Sequence, residues 1–336
     1  MKKYVTLGEV CSKGSSNIAQ KDIEQNNGSY GIYGASGYIK NVDFYHQDKP
    51  YIAVVKDGAG IGRTMLLPEK TSVIGTMQYL IPNDDVCVEY LYYAVTYMNL
   101  AKYFSGATIP HIYFKDYQKE KLPLLTIEEQ RKIADNLHKI DRLIELCSGI
   151  LQKLDVLVKS RFVEMFGDPQ TNSKNLPTAK LIDVVKMQRG FDLPVNSRNQ
   201  AGSVPVYGSN GVLGNHDTAK AFNGGVITGR SGTIGKVYYT KEDYWPLNTS
   251  LFSVDTHGNN VIYLAFLLQL FDLTRFTEGT GVPTLNRNKF HNEQIIKVEQ
   301  EEQNQFAAFV EQTDKSKFIA INIKKIIRRV RFNDQF

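Results

Sequence analysis

The chain contains an internal repeat that spans almost its whole length. Four pairs of short strings recur in the same order, first at a shift of 174 residues and later at 173: Leu7–Val10 with Leu181–Val184, Ile32–Gly37 with Val206–Gly211, Gly106–Pro110 with Gly279–Pro283, and Glu128–Gln130 with Glu301–Gln303. One single-residue insertion or deletion between residues 45 and 61 accounts for the change of shift. A unit of this length is far longer than a solenoid repeat, so the sequence predicts a duplicated module of tertiary structure.

The first part of each copy, residues 1–125 and 176–298, has the pattern of a mixed α/β domain. Short runs rich in β-branched residues are bounded by turns of Gly, Asn and Asp, as expected of strands. Each copy also has one apolar stretch with helical spacing, Val88–Tyr103 in the first and Val261–Phe271 in the second. We therefore expect two similar mixed α/β domains.

The second part of each copy, residues 126–167 and 299–336, is predicted to be helical. Thr126–Glu129 is a capping box that starts the first helix, and Gly167–Pro169 stops it. Apolar residues recur along both segments at the steps of four and three that form the a/d seam of a coiled coil, less regularly in the second. The predicted seam consists of Ile133, Leu137, Ile140, Ile144, Cys147, Leu151, Leu154 and Val158, and of Phe306, Val310, Thr313, Ala320, Ile323, Ile327 and Val330.

A helix with such a seam needs a partner, and the other copy in the same chain is the nearest candidate. Two helices that each follow a folded module pack most simply as an antiparallel pair. The predicted fold class is therefore α+β: two similar mixed α/β domains separated by two long helices packed as an antiparallel coiled coil. Such a pair would hold the modules apart, which suits the reading of two short sites across a fixed gap. The alternative is that each helix buries its apolar face against its own module.

Glycine is dense in two equivalent runs, Asp57–Arg63 and Thr228–Lys236. A Walker phosphate loop is excluded, because Arg230 stands where its first Gly is required and Val237 where its hydroxyl residue is required. Two compatible interpretations remain. The runs form tight hairpins with Gly at positive φ, or they also bring the backbone close to DNA, with Arg63, Arg230 and Lys236 as contacts.

Composition narrows the class of protein. The net charge of +5 and the pI of about 8.8 allow a polyanionic partner without requiring one. Three lone cysteines form no Cys-x-x-Cys pair, and the six histidines never stand at metal-ligand spacing, so we expect no metal site. We also expect a cytoplasmic protein without a membrane partner, because no signal peptide and no membrane-length apolar run is visible.

The ordered set of strings resembles the specificity subunits of type I restriction-modification systems, and the resemblance covers nearly the full chain. The strings that carry it are Leu7–Val10, Tyr33–Gly37 and Tyr207–Gly211, Ile61–Arg63 and Ile234–Lys236, Gly106–Pro110 and Gly279–Pro283, Pro123–Leu124 followed by Glu128–Gln130, and the central Arg161–Pro169. The exit from the second module departs from the pattern, since Ile296 replaces the Pro and Glu299 replaces the Thr cap. Because of this departure, the sequence defines the start of the second helix less sharply than that of the first.

The resemblance implies a DNA-binding subunit without an active site of its own. Residues 1–125 and 176–298 would be target recognition domains, each reading one half of a bipartite sequence in double-stranded DNA. The helices would dock two methyltransferase subunits, which bind S-adenosylmethionine and methylate adenine, and restriction subunits would cleave DNA. This chain would hold no cofactor, and no Asp/Asn-Pro-Pro-Tyr/Phe motif for adenine methylation is present in it.

DNA affinity should come from cations on phosphates and specificity from contacts to base edges. The candidates are Lys56, Arg63, His111, Tyr113 and Lys115 in the first module and Arg189, Arg230, Lys236, Asn286, Arg287 and Lys289 in the second, with Asn286 as an adenine reader. Each of them could instead be a solvated surface side chain, and Tyr33 and Tyr207 are expected to be packing residues. The alternative functions are a standalone DNA-modifying enzyme and a coiled-coil scaffold that does not bind DNA.

Overall fold

A computed structural model describes residues 3–106, 110–279, 281 and 283–333 of the chain, with side chains described up to Arg329. The chain divides into two compact units, one of Met1–Cys147 with Asn322–Phe336 and one of Ser148–Ile321. Each unit contains one of the two modules that the repeat predicts. In the part of the chain that the structure covers, no helix is both long and apolar enough to cross a membrane.

The first module is built from short strands and three short helices and leads into a long helix. Its elements are β1 (Lys3–Thr6), α1 (Leu7–Val10), β2 (Cys11–Ser15), β3 (Tyr30–Gly34), β4 (Gly37–Val42), β5 (Tyr51–Val55), β6 (Thr64–Leu67), β7 (Ser72–Val73), β8 (Met77–Pro82), α2 (Val88–Tyr97), α3 (Phe114–Tyr117), β9 (Lys121–Leu124) and the long helix α4 (Ile127–Phe166). A four-stranded antiparallel sheet has the order β2-β8-β5-β6, and a smaller sheet has the order β4-β3-β7 with β3 and β7 parallel. β1 and β9 close the module as an antiparallel pair.

The second module repeats this order of elements, with one additional pair of two-residue antiparallel strands before its last short helix. They are β10 (Thr178–Lys180), α5 (Leu181–Val184), β11 (Lys186–Arg189), β12 (Val204–Gly208), β13 (Gly211–His216), β14 (Gly225–Gly229), β15 (Val237–Thr240), β16 (Trp245–Pro246), β17 (Ser250–Asp255), α6 (Val261–Phe271), β18 (Thr277–Glu278), β19 (Thr284–Leu285), α7 (Arg287–Phe290), β20 (Gln294–Ile296) and the long helix α8 (Gln300–Asn333). The sheets again run β11-β17-β14-β15 and β13-β12-β16, with β10 paired to β20. The duplication is thus one of whole-module topology, and the fold class predicted from the repeat is confirmed.

The hairpins of β5–β6 and β14–β15 contain the single-residue difference between the copies. The first loop runs from residue 56 to 63 and the second from residue 230 to 236. Gly62 and Gly235 close these loops with φ of +77° and +88°. A Cβ at Gly62 would lie 2.4 Å from the backbone nitrogen of Ala101, and one at Gly235 would lie 2.4 Å from Thr274. Glycine is therefore needed there both for the left-handed backbone and for close packing.

The apolar helix of the first module is shorter than the sequence pattern predicts. The expected helix Val88–Tyr103 ends as an α-helix at Tyr97, because Asn99 adopts a left-handed conformation with φ of 49°. A 3₁₀ turn, Leu100–Tyr103, follows it. In the second module the helix Val261–Phe271 has the predicted bounds and ends at the equivalent left-handed residue, Asp272.

Each module buries its core between the four-stranded sheet and the apolar helix, and the following long helix seals it. Ala134 and Leu137 of α4 belong to the core of the first module. The equivalent Ala307 and Val310 of α8 belong to the core of the second. Each long helix therefore packs against its own module, which is the alternative that the sequence left open, in addition to any partner helix.

The two long helices also pack against one another within the second unit. Phe162 of α4 lies edge to face with Phe306 of α8 at 5.3 Å between ring centroids. Seven residues earlier in α4, the Asp155 carboxylate lies 2.8 Å from Lys317 Nζ, farther along α8. The contacts proceed in opposite directions along the two helices, so the pair is antiparallel, as predicted.

Burial along the predicted seam varies. Leu137, Val158, Phe306, Val310 and Ala320 are buried; Ile133, Ile140, Ile144, Leu151, Leu154 and Ile327 are half-buried; and Ile323 is 45% exposed. The side chain of Val330 lies outside the described residues.

A buried glutamine fixes each long helix to its module. The Gln130 side chain is fully buried: its Oε1 accepts a hydrogen bond from the Cys87 backbone at the start of α2, and its Nε2 donates to the backbone oxygens of Asp85 and Leu125. This glutamine ends the Glu128–Gln130 string of the repeat. The equivalent Gln303 makes the same kind of connection in the second module.

Candidate nucleic-acid interface

A cavity of about 440 Å³ opens in the first module where the loop after β5 meets the segment that leads into α3. Its lining consists of Lys13, Ser15, Lys56, Asp57, Gln78, His111, Ile112, Tyr113, Phe114 and Lys115. We refer to it as the first cavity. It combines three lysines with one carboxylate among its described lining residues, so its lining is cationic.

The Asp57 carboxylate joins the two segments that form the first cavity. Its Oδ2 lies 3.0 Å from Lys56 Nζ and its Oδ1 lies 2.5 Å from His111 Nδ1. The His111 ring stacks on Tyr113 with centroids 6.2 Å apart, and Lys115 Nζ stands 5.4 Å from the centre of the Tyr113 ring. These contacts hold a mixed aromatic and charged surface of which Tyr113 and Lys115 are exposed.

A cavity of about 300 Å³ lies in the second module between the loop after β14 and the segment that leads into α7. It is lined by Arg189, Arg230, Leu251, Glu278, Thr284, Leu285, Asn286, Arg287 and Asn288. We refer to it as the second cavity. Three arginines and one carboxylate stand in this lining, so the balance of charge is the same as in the first cavity.

Glu278 organises the second cavity as Asp57 organises the first. Its Oε1 lies 2.5 Å from Lys289 Nζ, and its Oε2 accepts a hydrogen bond of 2.7 Å from Asn286 Nδ2. Lys289 and Asn286 hold the pKa of Glu278 below its usual range, so the carboxylate stays ionised. Asn286 Oδ1 in turn accepts from the Asn288 backbone and caps α7. Both ends of the Asn286 amide are therefore engaged within the chain.

The two cavities occupy the same place in the repeat. Their equivalent lining residues are Ser15 and Arg189, Lys56 and Arg230, Gln78 and Leu251, His111 and Thr284, Ile112 and Leu285, Tyr113 and Asn286, Phe114 and Arg287, and Lys115 and Asn288. The same backbone hydrogen bond closes both, from Ile112 to the Lys56 oxygen (2.9 Å) and from Leu285 to the Arg230 oxygen (2.8 Å). One scaffold thus presents two different sets of side chains.

Most of the candidate residues that the sequence indicates come together in these cavities. Lys56, His111, Tyr113 and Lys115 line the first, and Arg189, Arg230, Asn286 and Arg287 line the second. Lys289 stands beside the second through its ion pair with Glu278.

The equivalent cations Arg63 and Lys236 lie outside both linings. Arg63 donates to the backbone oxygen of Ala35, and Lys236 donates to Asn210 Oδ1, each at 3.0 Å. In each module this hydrogen bond ties the glycine-rich hairpin to the turn of the smaller sheet. The packing expected of the tyrosines is also seen, since Tyr33 is half-buried and Tyr207 lies edge to face with Tyr244.

Apart from Arg189 of β11, the sequence did not indicate the lining residues that the strands contribute, and it indicated neither carboxylate. Ser15 and Gln78 come from β2 and β8, and Leu251 comes from β17. The repeat pairs Ser15 with Arg189 and Gln78 with Leu251, so a function known for one residue of a pair would have indicated the other. Of the Gly-x-x-hydrophobic-Pro strings that precede the cavities, residues 107–109, 280 and 282 lie outside the described residues. Within the described ranges no group of three or more His, Cys, Asp or Glu is placed to hold a metal ion.

Comparison with solved structures defines the class of fold. The S subunit of a type I restriction-modification system from M. genitalium superposes with a TM-score of 0.66 over 98% of this chain and 94% of that chain, at 16% identity. A chain from a structural study of complex assembly and conformational transition of the type I R-M system gives a TM-score of 0.55 over 99% of this chain and 98% of that chain, at 13% identity. At such low identity these likenesses establish the fold alone.

Sequence comparison gives the family. A model described as type I restriction modification DNA specificity domain matches residues 2–156 and, a second time, residues 174–329. The chain belongs to this family and carries two copies of its domain. The type I restriction enzyme MjaIX specificity subunit of Methanocaldococcus jannaschii is 29% identical over 136 residues, which are 34% of this chain and 31% of that protein. The alignment thus spans about a third of this curated relative.

Proposed function

We propose that the chain is the DNA specificity subunit of a type I restriction-modification complex, in which each module reads one half of a bipartite target in double-stranded DNA. The observation that carries the proposal is the pair of equivalent cationic cavities, one in each module. The three cations of each cavity suit contacts to phosphates, which supply affinity. The neutral residues at equivalent positions differ between the cavities, which suits two halves of a target with different base sequences.

In this role the chain contributes recognition and its partners contribute chemistry. Two methyltransferase subunits would bind S-adenosylmethionine and methylate adenine, and restriction subunits would add cleavage, in the cytoplasm. The chain itself would hold no cofactor and no active site. Base methylation requires the target base to leave the stack, and the specificity subunit would place the methyltransferase over it.

The exposed apolar side chains of the long helices support a docking role for them. In the second unit, Ile150, Val156, Leu157 and Val163 of α4 and Phe318, Ile319 and Ile321 of α8 are all exposed. Large exposed apolar patches on soluble proteins mark interaction surfaces. We assign this surface to a methyltransferase subunit.

Val156→Glu tests the docking surface. Val156 is 63% exposed, so a glutamate should leave the fold intact but place a charge in the interface. We expect the affinity for a cognate methyltransferase subunit, measured by isothermal calorimetry, to fall by about ten-fold or more. Lys159→Glu, an exposed change on the same helix, is the control and should have a smaller effect. Equal affinities for Val156→Glu and the unchanged chain would remove this face from the interface.

Arg230→Ala tests the second cavity. The Arg230 guanidinium donates to the Asn248 backbone oxygen and lines the cavity, so its cation is held in place. Its loss should weaken binding of a target duplex by about 1–3 kcal/mol and, if it contacts a phosphate, reduce the salt slope of binding by about one. Fluorescence anisotropy at several salt concentrations measures both. Lys297→Ala, which removes an exposed cation outside the lining, should leave the affinity nearly unchanged.

The proposal as a whole is tested by long-read methylome sequencing of a host that expresses the chain with a cognate methyltransferase subunit. The expected result is a new adenine-methylated motif of two short halves with a fixed spacer. A stable complex of the two proteins that yields no new motif would contradict the DNA-reading role.

A further inference from the structure

Each cavity places one carboxylate in a surface that would face a polyanion. Asp57 and Glu278 stand among three cations in their respective linings. A carboxylate near phosphates weakens binding to any duplex, because like charges repel. This cost is offset where the carboxylate anchors neighbouring side chains, as both do here, and where it gains a hydrogen bond that most sequences cannot offer.

The bonds within the chain leave each carboxylate free to accept another. One oxygen of Asp57 is bonded to Lys56 and the other to His111. One oxygen of Glu278 is bonded to Lys289 and the other to Asn286. An ionised carboxylate offers about four lone-pair directions, so each oxygen retains one acceptor direction beyond these bonds. Both side chains are therefore held in place while they remain able to accept.

In the first module the carboxylate lies on one side of the segment around His111. The backbone of His111 pairs with Asp57 on the side of the β5–β6 hairpin and with Ser105 on the other side. The acid thus comes from the hairpin loop, and a serine occupies the opposite flank.

In the second module the carboxylate lies on the opposite side of the equivalent segment, the one around Thr284. The backbone of Thr284, which is equivalent to His111, pairs with Ser231 of the hairpin and with Glu278 of β18. Ser231 is equivalent to Asp57, and Glu278 is equivalent to Ser105. Each module therefore has an acid where the other has a serine, so the acid is not required by the shared scaffold at either position.

We propose that Asp57 and Glu278 are the base-reading residues of the two cavities, each accepting a hydrogen bond from the exocyclic amino group of a cytosine or an adenine in the major groove. The inference rests on the proposed function and deepens it. In the major groove the donors are the amino groups of cytosine and adenine, and a carboxylate accepts from the former in known complexes. Guanine and thymine present acceptors at the equivalent points, which a carboxylate repels. Because the acids lie on opposite sides of equivalent segments, the two modules select the amino base at different positions.

In this arrangement Asn286 positions Glu278. Its amide oxygen caps α7 and its amide nitrogen donates to Glu278, so the Asn286 side chain is fixed beside the carboxylate.

The test is selection from a library of random-sequence duplexes by the full-length chain, alone and together with a cognate methyltransferase subunit, followed by deep sequencing of the bound fraction. Asp57→Asn should lose the discrimination against guanine and thymine at one position in one half of the motif, by about ten-fold or more, because its amide donates as well as accepts, and it should leave the other half unchanged. Glu278→Gln should do the same in the other half. Both variants should bind unrelated duplexes at least as tightly as the unchanged chain, because an anion has been removed.

Asp57→Ser and Glu278→Ser serve as second variants, because each serine is the residue that the other module carries at the equivalent position. They keep the test decisive if an amide variant fails to fold. Asp84→Asn and Glu242→Gln, exposed acids outside both linings, are the matched controls and should leave the motif unchanged.

The outcomes separate the inference from the proposed function. If the unchanged chain selects a two-part motif and the variants select the same motif, the carboxylates only anchor their neighbours, and the inference is overturned while the proposed function stands. A uniform loss of affinity with unaltered base preferences leads to the same conclusion. If the unchanged chain selects no motif in either form, the proposed function fails and the inference fails with it.

Discussion

Phe162→Ala is expected to lower the free energy of unfolding of the second unit by about 3–5 kcal/mol, the range found when a large aromatic side chain is removed from a packed core. Phe162 is fully buried and its ring contacts the rings of Phe166, Phe306 and Tyr263, with centroids 5.0, 5.3 and 5.8 Å away. It therefore links α4, α8 and α6 at one point. Its loss leaves a cavity that the surrounding rings cannot fill without leaving their own contacts.

The measurement is urea denaturation followed by tryptophan fluorescence. The single tryptophan of the chain, Trp245, lies in the second unit, so its emission reports the unfolding of that unit. Val163→Ala, the next residue in α4, is the control: Val163 is exposed, and its truncation should change the free energy by less than about 0.5 kcal/mol. Similar midpoints for the two variants would show that the aromatic cluster does not hold the helices together.

The bounds of α4 were predictable because their signals are local. The Thr126–Glu129 capping box is present, with Thr126 and Glu129 bonded through side chain and backbone, and α4 begins at Ile127. Gly167 follows the last helical residue with φ of +76°. At the start of α8 the Thr cap is replaced by Glu299, yet the helix begins at Gln300, because the buried Gln303 fixes that turn from the side of the module.

The repeat predicted the duplicated scaffold but could not predict the two cavities. Matching strings identify positions where the copies agree, and these are turns, helix starts and packing residues such as Gly62 and Gly235. The cavity positions differ between the copies, as in Gln78 and Leu251. Recognition surfaces that read different sequences must differ, so a search for similarity passes over them. Only the sheet order brings these residues from distant strands to one place.

The shortened α2 is a second limit of sequence reasoning. Apolar spacing continues through residue 103, but the left-handed Asn99 ends the helix, and periodicity does not register a single backbone conformation. In the second module the equivalent Asp272 is also left-handed, and its side chain accepts a hydrogen bond from the Thr274 backbone at the start of the following 3₁₀ turn. Asn and Asp adopt left-handed conformations more readily than other residues with side chains.

Gln303→Leu is expected to destabilise the second unit by about 3 kcal/mol, although leucine is more apolar and of similar size. Gln303 is 1% exposed and its amide satisfies three groups: the Asn260 backbone N–H, Asn259 Oδ1 and the Val298 backbone oxygen. A buried polar group left without a partner costs about 1–3 kcal/mol, and the gain from burying a methyl group does not offset several such losses. The Asn260 side chain also caps α6, so the start of that helix should loosen.

The control for Gln303→Leu is Gln305→Leu, which changes an exposed glutamine two residues along the same helix and should shift the midpoint little. Both variants are followed by Trp245 fluorescence in urea, and amide hydrogen exchange at the first turn of α6 gives an independent readout of the Asn260 contact. Gln130 also makes three bonds in the first unit, one of them from the Cys87 backbone at the start of α2, so Gln130→Leu should open the first turn of α2 in the same way. If Gln303→Leu matched Gln305→Leu in stability and in exchange at α6, the glutamine would be a tolerated polar residue, and the fixing of each long helix to its module would rest on the apolar contacts of Ala307 and Val310 alone.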